Sequence, residues 1–284
     1  MTKPDESQRR DGVRDGVFDL VAGGYDAVYA TAASSPAFAR LWAEHAYGGA
    51  FPVEFAHISF LTLDELQVMA QYLGLGEGRV LVDLACGAGG PGLWIAQQTG
   101  ASLIGVDPSL TGLAQARRRS QQVGLADRSL YQQGTFASTG LAGGAADGAL
   151  SVDAIQYAPE KTDVFREAYR ILRPGGRLAF SAFEVNPERV AGIPVLGVDP
   201  VPDYAPLLET AGFAIDTYTE SARWADRVPA AYGAVMDAMP TLIREMGEAA
   251  AASLQMEAAL TIQLQPYRRR VIVHARRLES GQRL

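Results

Sequence analysis

Beyond a polar start, apolar positions along the chain recur at helical spacing. Phe38, Leu41 and Trp42, and later Leu63, Leu66, Met69, Ala70 and Leu73, stand three, four and seven apart. That spacing predicts amphipathic helices, interrupted at Ser34-Ser35-Pro36 and at Gly48-Gly49. Thr62, with Glu65 three residues on, is a capping-box start for the last of them. The rhythm then changes to short apolar runs separated by helical stretches. The runs 79–84, 102–106, 129–133, 148–152 and 177–183 read as strands, and 91–99, 109–123 and 161–172 as helices. Such alternation predicts a parallel sheet covered on both faces. Gly175-Gly176 is the expected turn into the fifth strand. A short helix at 204–211 and a strand at 213–219 follow. An alanine-rich helical stretch comes next, with Val228, Tyr232, Val235, Met239, Leu242, Ile243 and Met246 near one face, and Pro240 should divide it. A last strand is predicted at 270–275.

The pattern divides the chain into a polar tail at 1–15, expected to be disordered, and a helical lid at 16–75. A core at 76–222 follows, then a helical insertion at 223–266 over the site, and a last strand with the C-terminus at 267–284. The 284 residues are 48% hydrophobic, enough for one large α/β domain with additions. The single cysteine, Cys86, allows no internal disulfide and reads as a packing residue. The charged N-terminus lacks a signal-peptide pattern, and no run approaches the apolar length of a membrane span, so a cytoplasmic protein without a membrane partner is expected. A net charge of −7 disfavours a nucleic-acid partner. Arg117–Arg119 and Arg268–Arg270 lack interleaved aromatics and read as solvated faces. His45, His57 and His274 are too scattered to hold a metal.

The segment Val80 to Gly92 carries the chemistry. A buried strand enters a glycine-rich turn that opens a helix, whose free N–H groups attract electron-rich ligands. Gly87, Gly89 and Gly92 satisfy G-x-G-x-x-G, and Asp107 lies 20 residues beyond Gly87, the fingerprint of a dinucleotide site. Taken alone, this fits a nicotinamide-dependent oxidoreductase. Asp83 argues for a cation instead: a carboxylate at the end of the first strand repels a pyrophosphate and attracts an ammonium or sulfonium. The chain also lacks a second βαβαβ half.

These residues resemble the class I S-adenosylmethionine-dependent methyltransferases of the small-molecule, natural-product branch. Asp83-Leu-Ala-Cys-Gly-Ala-Gly-Gly is similar to the family's first motif, with Ala85 where a glycine is usual. Leu103-Ile-Gly-Val-Asp107-Pro108 resembles the second, Asp147 to Tyr157 the fourth-strand motif, and Leu172 to Arg177 the turn before the fifth strand. The resemblance implies a Rossmann-like seven-stranded, mostly parallel sheet with helices on both faces, an N-terminal helical lid and a helical insertion before the last strand. It implies S-adenosyl-L-methionine as cofactor, bound by Tyr25, Asp83, Ala85, Gly87, Gly89, Asp107, Pro108, Thr135, Phe136 and Asp153. Tyr25 enters through the family's recurrent Tyr-Asp pair. Thr135 stands where an aspartate is common, and Phe136 serves the adenine or simply packs in the core. Tyr29, Trp42 and Tyr47 are further lid aromatics for the sulfonium. The expected reaction is methyl transfer to a small molecule, at oxygen ahead of carbon or nitrogen. His57 is the candidate base, with Glu54, Asp153 and Tyr157 behind it. The alternative keeps the cofactor as structure while the cavity performs a cyclisation or binds a ligand. Monomer and homodimer both stay open.

Overall fold

The computed structural model of the chain describes residues 21–195 and 199–279. The tail expected at 1–15 lies outside them. Among the described residues, seven strands form one sheet: β1 (Val80–Leu84), β2 (Ser102–Asp107), β3 (Ser129–Gln133), β4 (Ala146–Val152), β5 (Leu172–Val185), β6 (Phe213–Glu220) and β7 (Arg268–Arg277). Their order is β3-β2-β1-β4-β5-β7-β6. The first five run parallel, and β7 runs antiparallel between β5 and β6. The chain moves outward from β1 to β3, then returns to β4 on the other side. The crevice at the carboxyl ends of β1 and β4 is therefore the place where open α/β sheets bind ligands.

Strand alternation builds two cores. Neighbouring strand residues face opposite sides, so Leu81, Leu150 and Ala179 join one apolar cluster while Val82, Ala149 and Phe180 join the other. The first cluster also takes Leu93 and Ile95 of α4 (Gly90–Thr99) and Leu113 of α5 (Leu110–Gln122). The second takes Val164 and Phe165 of α6 (Lys161–Ile171) and Leu208 of α7 (Ala205–Ala211). Both faces of the sheet are covered, as the apolar runs imply.

The lid begins with α1, helical over 21–32, and α2 (Pro36–Leu41), which runs on into a π-helical turn at Trp42–Ala46. From Tyr47 to Leu61 the chain makes only a 3₁₀ turn, Val53–Phe55. The helical pattern expected there does not form: Gly48, Gly49 and Pro52 break it. Regular helix resumes with α3 (Leu63–Leu73), where the expected capping box is complete. Thr62 Oγ1 accepts from the Glu65 amide (3.3 Å) and Glu65 Oε2 accepts from the Thr62 amide (2.9 Å). Before β7 come α8 (Trp224–Asp237), α9 (Met239–Met246) and α10 (Glu248–Leu264). Pro240 sits in the first turn of α9, where its missing N–H costs no helical bond. Ser35 and the Ala37 amide both donate to Glu245 Oε2 (2.6 and 3.0 Å), tying the lid to α9.

Two further expectations need correction. Gly175-Gly176 is a bulge inside β5 rather than a turn before it: the β4–β5 register jumps from Ala146↔Leu172 to Gly148↔Arg177. Nor is Arg268–Arg270 a solvated face. In a strand, alternate residues share a side, so Arg269 is exposed while Arg270 is fully buried. Arg270 donates to Asp153 (2.8 Å), to both oxygens of Glu65 (3.2 Å each) and to Ser221 (2.7 Å).

Candidate active site

The loop leaving β1 is compact. Ala85 adopts φ +59°, the left-handed conformation that the usual glycine would supply freely and that costs alanine about 1–2 kcal/mol. At Gly87 (φ +51°), a Cβ would lie 2.2 Å from the Tyr29 hydroxyl, so α1 closes directly onto the loop. At Gly90, a Cβ would lie 2.2 Å from the Phe55 carbonyl. Backbone meets backbone there. Gly90→Ala should therefore displace the 53–55 turn and cost at least about 1–3 kcal/mol, read as a lowered midpoint in urea unfolding.

Two carboxylates face this loop. Asp107, at the end of β2, accepts from the Ser109 amide with Oδ1 and the Gly87 amide with Oδ2, both at 2.8 Å. These bonds orient it and leave lone pairs for hydroxyls. Burial pushes its pKa up, and the two amides work against that. Asp83, at the end of β1, is 2% exposed and its Oδ2 has no hydrogen-bond partner among the described residues. Burial, and then Asp107, push its carboxyl up to about 8, with the Gly92 amide pulling the other way. A buried carboxyl without a partner keeps its proton instead of standing as an anion, and a cation beside it is what would let it ionise.

Three adjoining cavities surround these groups. A cleft of about 590 Å³ is lined by Tyr25, Tyr29, Ala85, Asp107, Pro108 and Phe136, among others. A second, of about 1040 Å³, contains Asp83, Gly89, His57 and Arg119. A third, of about 710 Å³, lies between the lid, β5 and α10. Ile58 borders all three, and Tyr29 borders the first two. Tyr25 and Asp153 separate the first from the third. Asp26 accepts from Ser109 Oγ (2.5 Å) and Thr111 Oγ1 (3.0 Å), which pins α1 over the Asp107 turn.

Most of the residues expected at a cofactor converge here. Phe136 does two jobs, packing in the second core and bordering the first cleft. Thr135 is not part of that cleft's lining; its backbone pairs with Ser138. Asp153 borders the cleft with both oxygens engaged: Oδ1 by Ser181 (2.7 Å) and Arg270, Oδ2 by the Phe60 amide (2.8 Å). Burial alone would raise its pKa, but Arg270, Ser181 and Phe60 hold it below the usual range. It clamps the lid to the sheet. His57 packs between Tyr47 and Phe51 (ring centroids 4.8 and 4.5 Å) with Nδ1 on Ser59 Oγ (2.7 Å) and Nε2 unpartnered. Burial lowers its pKa to about 3. Glu54 is exposed and borders none of the three cavities.

The third cavity brings together Glu257, which lies outside every sequence motif, and Arg268, expected on a solvated face. Glu257, on α10, accepts hydrogen bonds at Oε1 from Tyr232 (2.7 Å), Tyr25 (3.0 Å) and Tyr157 (3.2 Å). Arg268 lines the same space with its guanidinium 4.4 Å from the Phe183 ring centroid. A signal existed: Leu254, Glu257, Thr261 and Leu264 stand three, four and three apart, so an acid sits on a mostly apolar helical stripe. Arg119 was also read as solvated. It turns inward instead, donating to the Ala88 carbonyl (2.9 Å).

Residues 82–180 match the family profile described as a methyltransferase domain. That segment of the chain is similar to a methyltransferase domain. The match runs from β1 into β5, so the lid, the insertion and β6–β7 lie outside it. The chain is similar to methyltransferase phqN of Penicillium fellutanum, 34% identical over 116 residues, or 41% of this chain and 35% of that protein. It is also similar to methyltransferase GfsG of Streptomyces halstedii, 29% identical over 62% of this chain and 66% of that protein. It thus spans about a third of the first relative and two thirds of the second. Among solved structures, the [4+2]-cyclase SpnF superposes with a TM-score of 0.73 at 21% identity, covering 91% of this chain and 95% of that one. The matched segment, the lid and the insertion therefore belong to one shared fold that spans nearly the whole chain. Among the described residues, no cluster of His, Cys, Asp or Glu could hold a metal, and no helix is long and apolar enough to cross a membrane.

Proposed function

We propose that the chain binds S-adenosylmethionine across the first two cavities and transfers its methyl group to a small molecule held in the third. The observation that carries this reading is Asp83, a buried carboxylate with an unpartnered oxygen beside the glycine loop. An ammonium supplies the missing partner, whereas the pyrophosphate of a dinucleotide would face two buried carboxylates, Asp83 and Asp107. When bound, the cofactor supplies an electrophilic methyl on a sulfonium. Asp83 takes the ammonium of its amino-acid part, and the Gly87–Gly89 backbone follows the chain. Asp107 takes the ribose hydroxyls, and Pro108 and Phe136 flank the adenine. Tyr25 and Tyr29 offer aromatic faces toward the sulfonium, each contributing about 0.5–2 kcal/mol. Asp153 acts indirectly, by fixing Phe60 and with it the lid. Thr135 contributes through the turn it closes with Ser138.

The lid and insertion exclude water and hold the acceptor, and positioning of that kind supplies most of the rate in such a displacement. An oxygen acceptor is favoured, because the third cavity offers carboxylate and phenol groups to handle its proton. His57 is neutral at pH 7 and only weakly basic, so it serves better as a wall of the second cavity than as the base. A second reading, in which the cofactor is structural and the cavity cyclises or binds its ligand, draws on the [4+2]-cyclase that shares this fold. One experiment separates the two. Wild-type protein incubated with S-adenosylmethionine and a panel of polyketide and phenolic alcohols should yield S-adenosylhomocysteine and a product heavier by one methylene. Tight cofactor binding with no S-adenosylhomocysteine over the panel would favour the second reading, and a thermal shift with NAD alone would remove both.

A further inference from the structure

We propose that Glu257 is the proton acceptor for a hydroxyl-bearing methyl acceptor, held in place by the hydroxyls of Tyr25, Tyr157 and Tyr232. This rests on the S-adenosylmethionine reading above and names the acceptor class and the base.

The geometry is that of a carboxylate with two unlike oxygens. Oε1 is saturated by three phenols at 2.7, 3.0 and 3.2 Å, which lock the side chain. None of these three bonds engages Oε2, and the side chain lines the third cavity. Tyr25 and Tyr157 also line the first cleft, so Glu257 stands one side chain away from the cofactor's space. The charged and titratable groups facing it come from four elements besides α10: Tyr25 on α1, Tyr157 after β4, Tyr232 on α8 and Arg268 on β7. Asp153 and Lys161 border the same cavity. Burial pushes the Glu257 carboxyl up; the three phenols and Arg268 moderate the rise. A carboxylate moved toward neutrality is better matched to removing a hydroxyl proton than His57, whose pKa is about 3.

The step balances. Glu257 Oε2 takes the hydroxyl proton as the acceptor oxygen forms its bond to the methyl carbon. The carbon–sulfur bond breaks, and its electron pair returns to sulfur. One cation and one anion disappear together, which a low-dielectric cavity favours. The protonated Glu257 then returns its proton to solvent before the next turnover.

The test combines two readouts. In the first, infrared difference spectra of the ligand-free protein are titrated with pH. The part of the protonated-carboxyl band that Glu257→Gln removes should disappear with a midpoint above the ordinary carboxylate range, and move to still higher pH in Tyr232→Phe, which removes a donor to the charged form; the raised Asp83 carboxyl gives a band that neither variant removes. In the second, Glu257→Gln should lower methyl transfer to phenol and aliphatic alcohol probes by at least about 100-fold with calorimetric S-adenosylmethionine affinity unchanged. Tyr232→Phe should shift the acid limb of kcat/KM in the same direction as the infrared midpoint. A band that titrates in the ordinary range, or does not respond to Tyr232→Phe, overturns the proposal. So does a Glu257→Gln enzyme at wild-type rate, or a wild type that methylates only amines or carbon. A wild type that binds no S-adenosylmethionine would instead fail the parent reading.

Discussion

Asp83→Asn should weaken S-adenosylmethionine binding on the order of 10- to 100-fold while making the ligand-free protein more stable at alkaline pH. The loss follows from removing a charged acceptor for the cofactor's ammonium, since a hydrogen bond to a charged group contributes about 1.5–3 kcal/mol. The gain follows from linkage. Burial and Asp107 raise the Asp83 pKa to about 8, above the ordinary value it takes in the unfolded chain. A raised pKa means that the folded state holds its proton longer. The stabilisation is complete below the unfolded value and is lost as pH rises through about 8. Asparagine carries no such charge, so the variant's melting temperature should stay flat over that window while the wild type's falls. Calorimetric titration and thermal melts from pH 6 to pH 9 read the two effects. A variant that loses affinity and stability together would mean that Asp83 holds the loop rather than the ligand.

Arg270→Met should be the most destabilising single change in the core of the site. Arg270 is fully buried and bonds Asp153, Glu65 and Ser221, and Glu65 in turn caps α3 and accepts from Arg227 and Ser221. Removing the cation leaves Asp153 without a cationic partner in the interior and Glu65 with Arg227 alone, a loss of about 3–5 kcal/mol. For a chain of this length that lowers the melting temperature on the order of 10 °C. The pH dependence has the opposite sign from Asp83. Arg270 keeps the Asp153 pKa low, so the wild type gains stability above the unfolded value and loses it as pH falls through the lower folded one. Arg270→Met should erase that gain, and adding Asp153→Asn to it should recover part of the lost stability. A wild-type melting temperature in Arg270→Met would contradict the network.

How far these residues could be read from sequence follows from how local their signals are. The stretch 129–133 reads as a strand and is one, because turn and helix signals bound a short run. Asp83, Asp107 and the glycines were legible for the same reason: strand, loop and helix are contiguous, so their order fixes what faces the ligand. The start of β5 was not, since a bulge around Gly175 looks like a turn until its neighbour strand is known. Arg270 reads as one of three basic residues, and only the two-residue period of a central strand shows which of them turns inward. Glu257 is the clearest case. Its three phenols come from positions 25, 157 and 232, so no local window contains the cluster. His57 shows the reverse: its place in the lid was legible and made it the candidate base, yet Tyr47 and Phe51, which enclose it, acquire that role only once the 47–61 segment folds back.

The central claim is that this crevice is built for a cationic, adenosine-bearing methyl donor. A crystal structure of the protein grown with S-adenosylhomocysteine, with a parallel soak in NAD, tests it most directly. The account predicts density for the former alone, with its ammonium on Asp83 and its ribose hydroxyls on Asp107. Density for NAD along the Gly87–Gly89 turn, or a ligand-free crevice in both crystals, would contradict it.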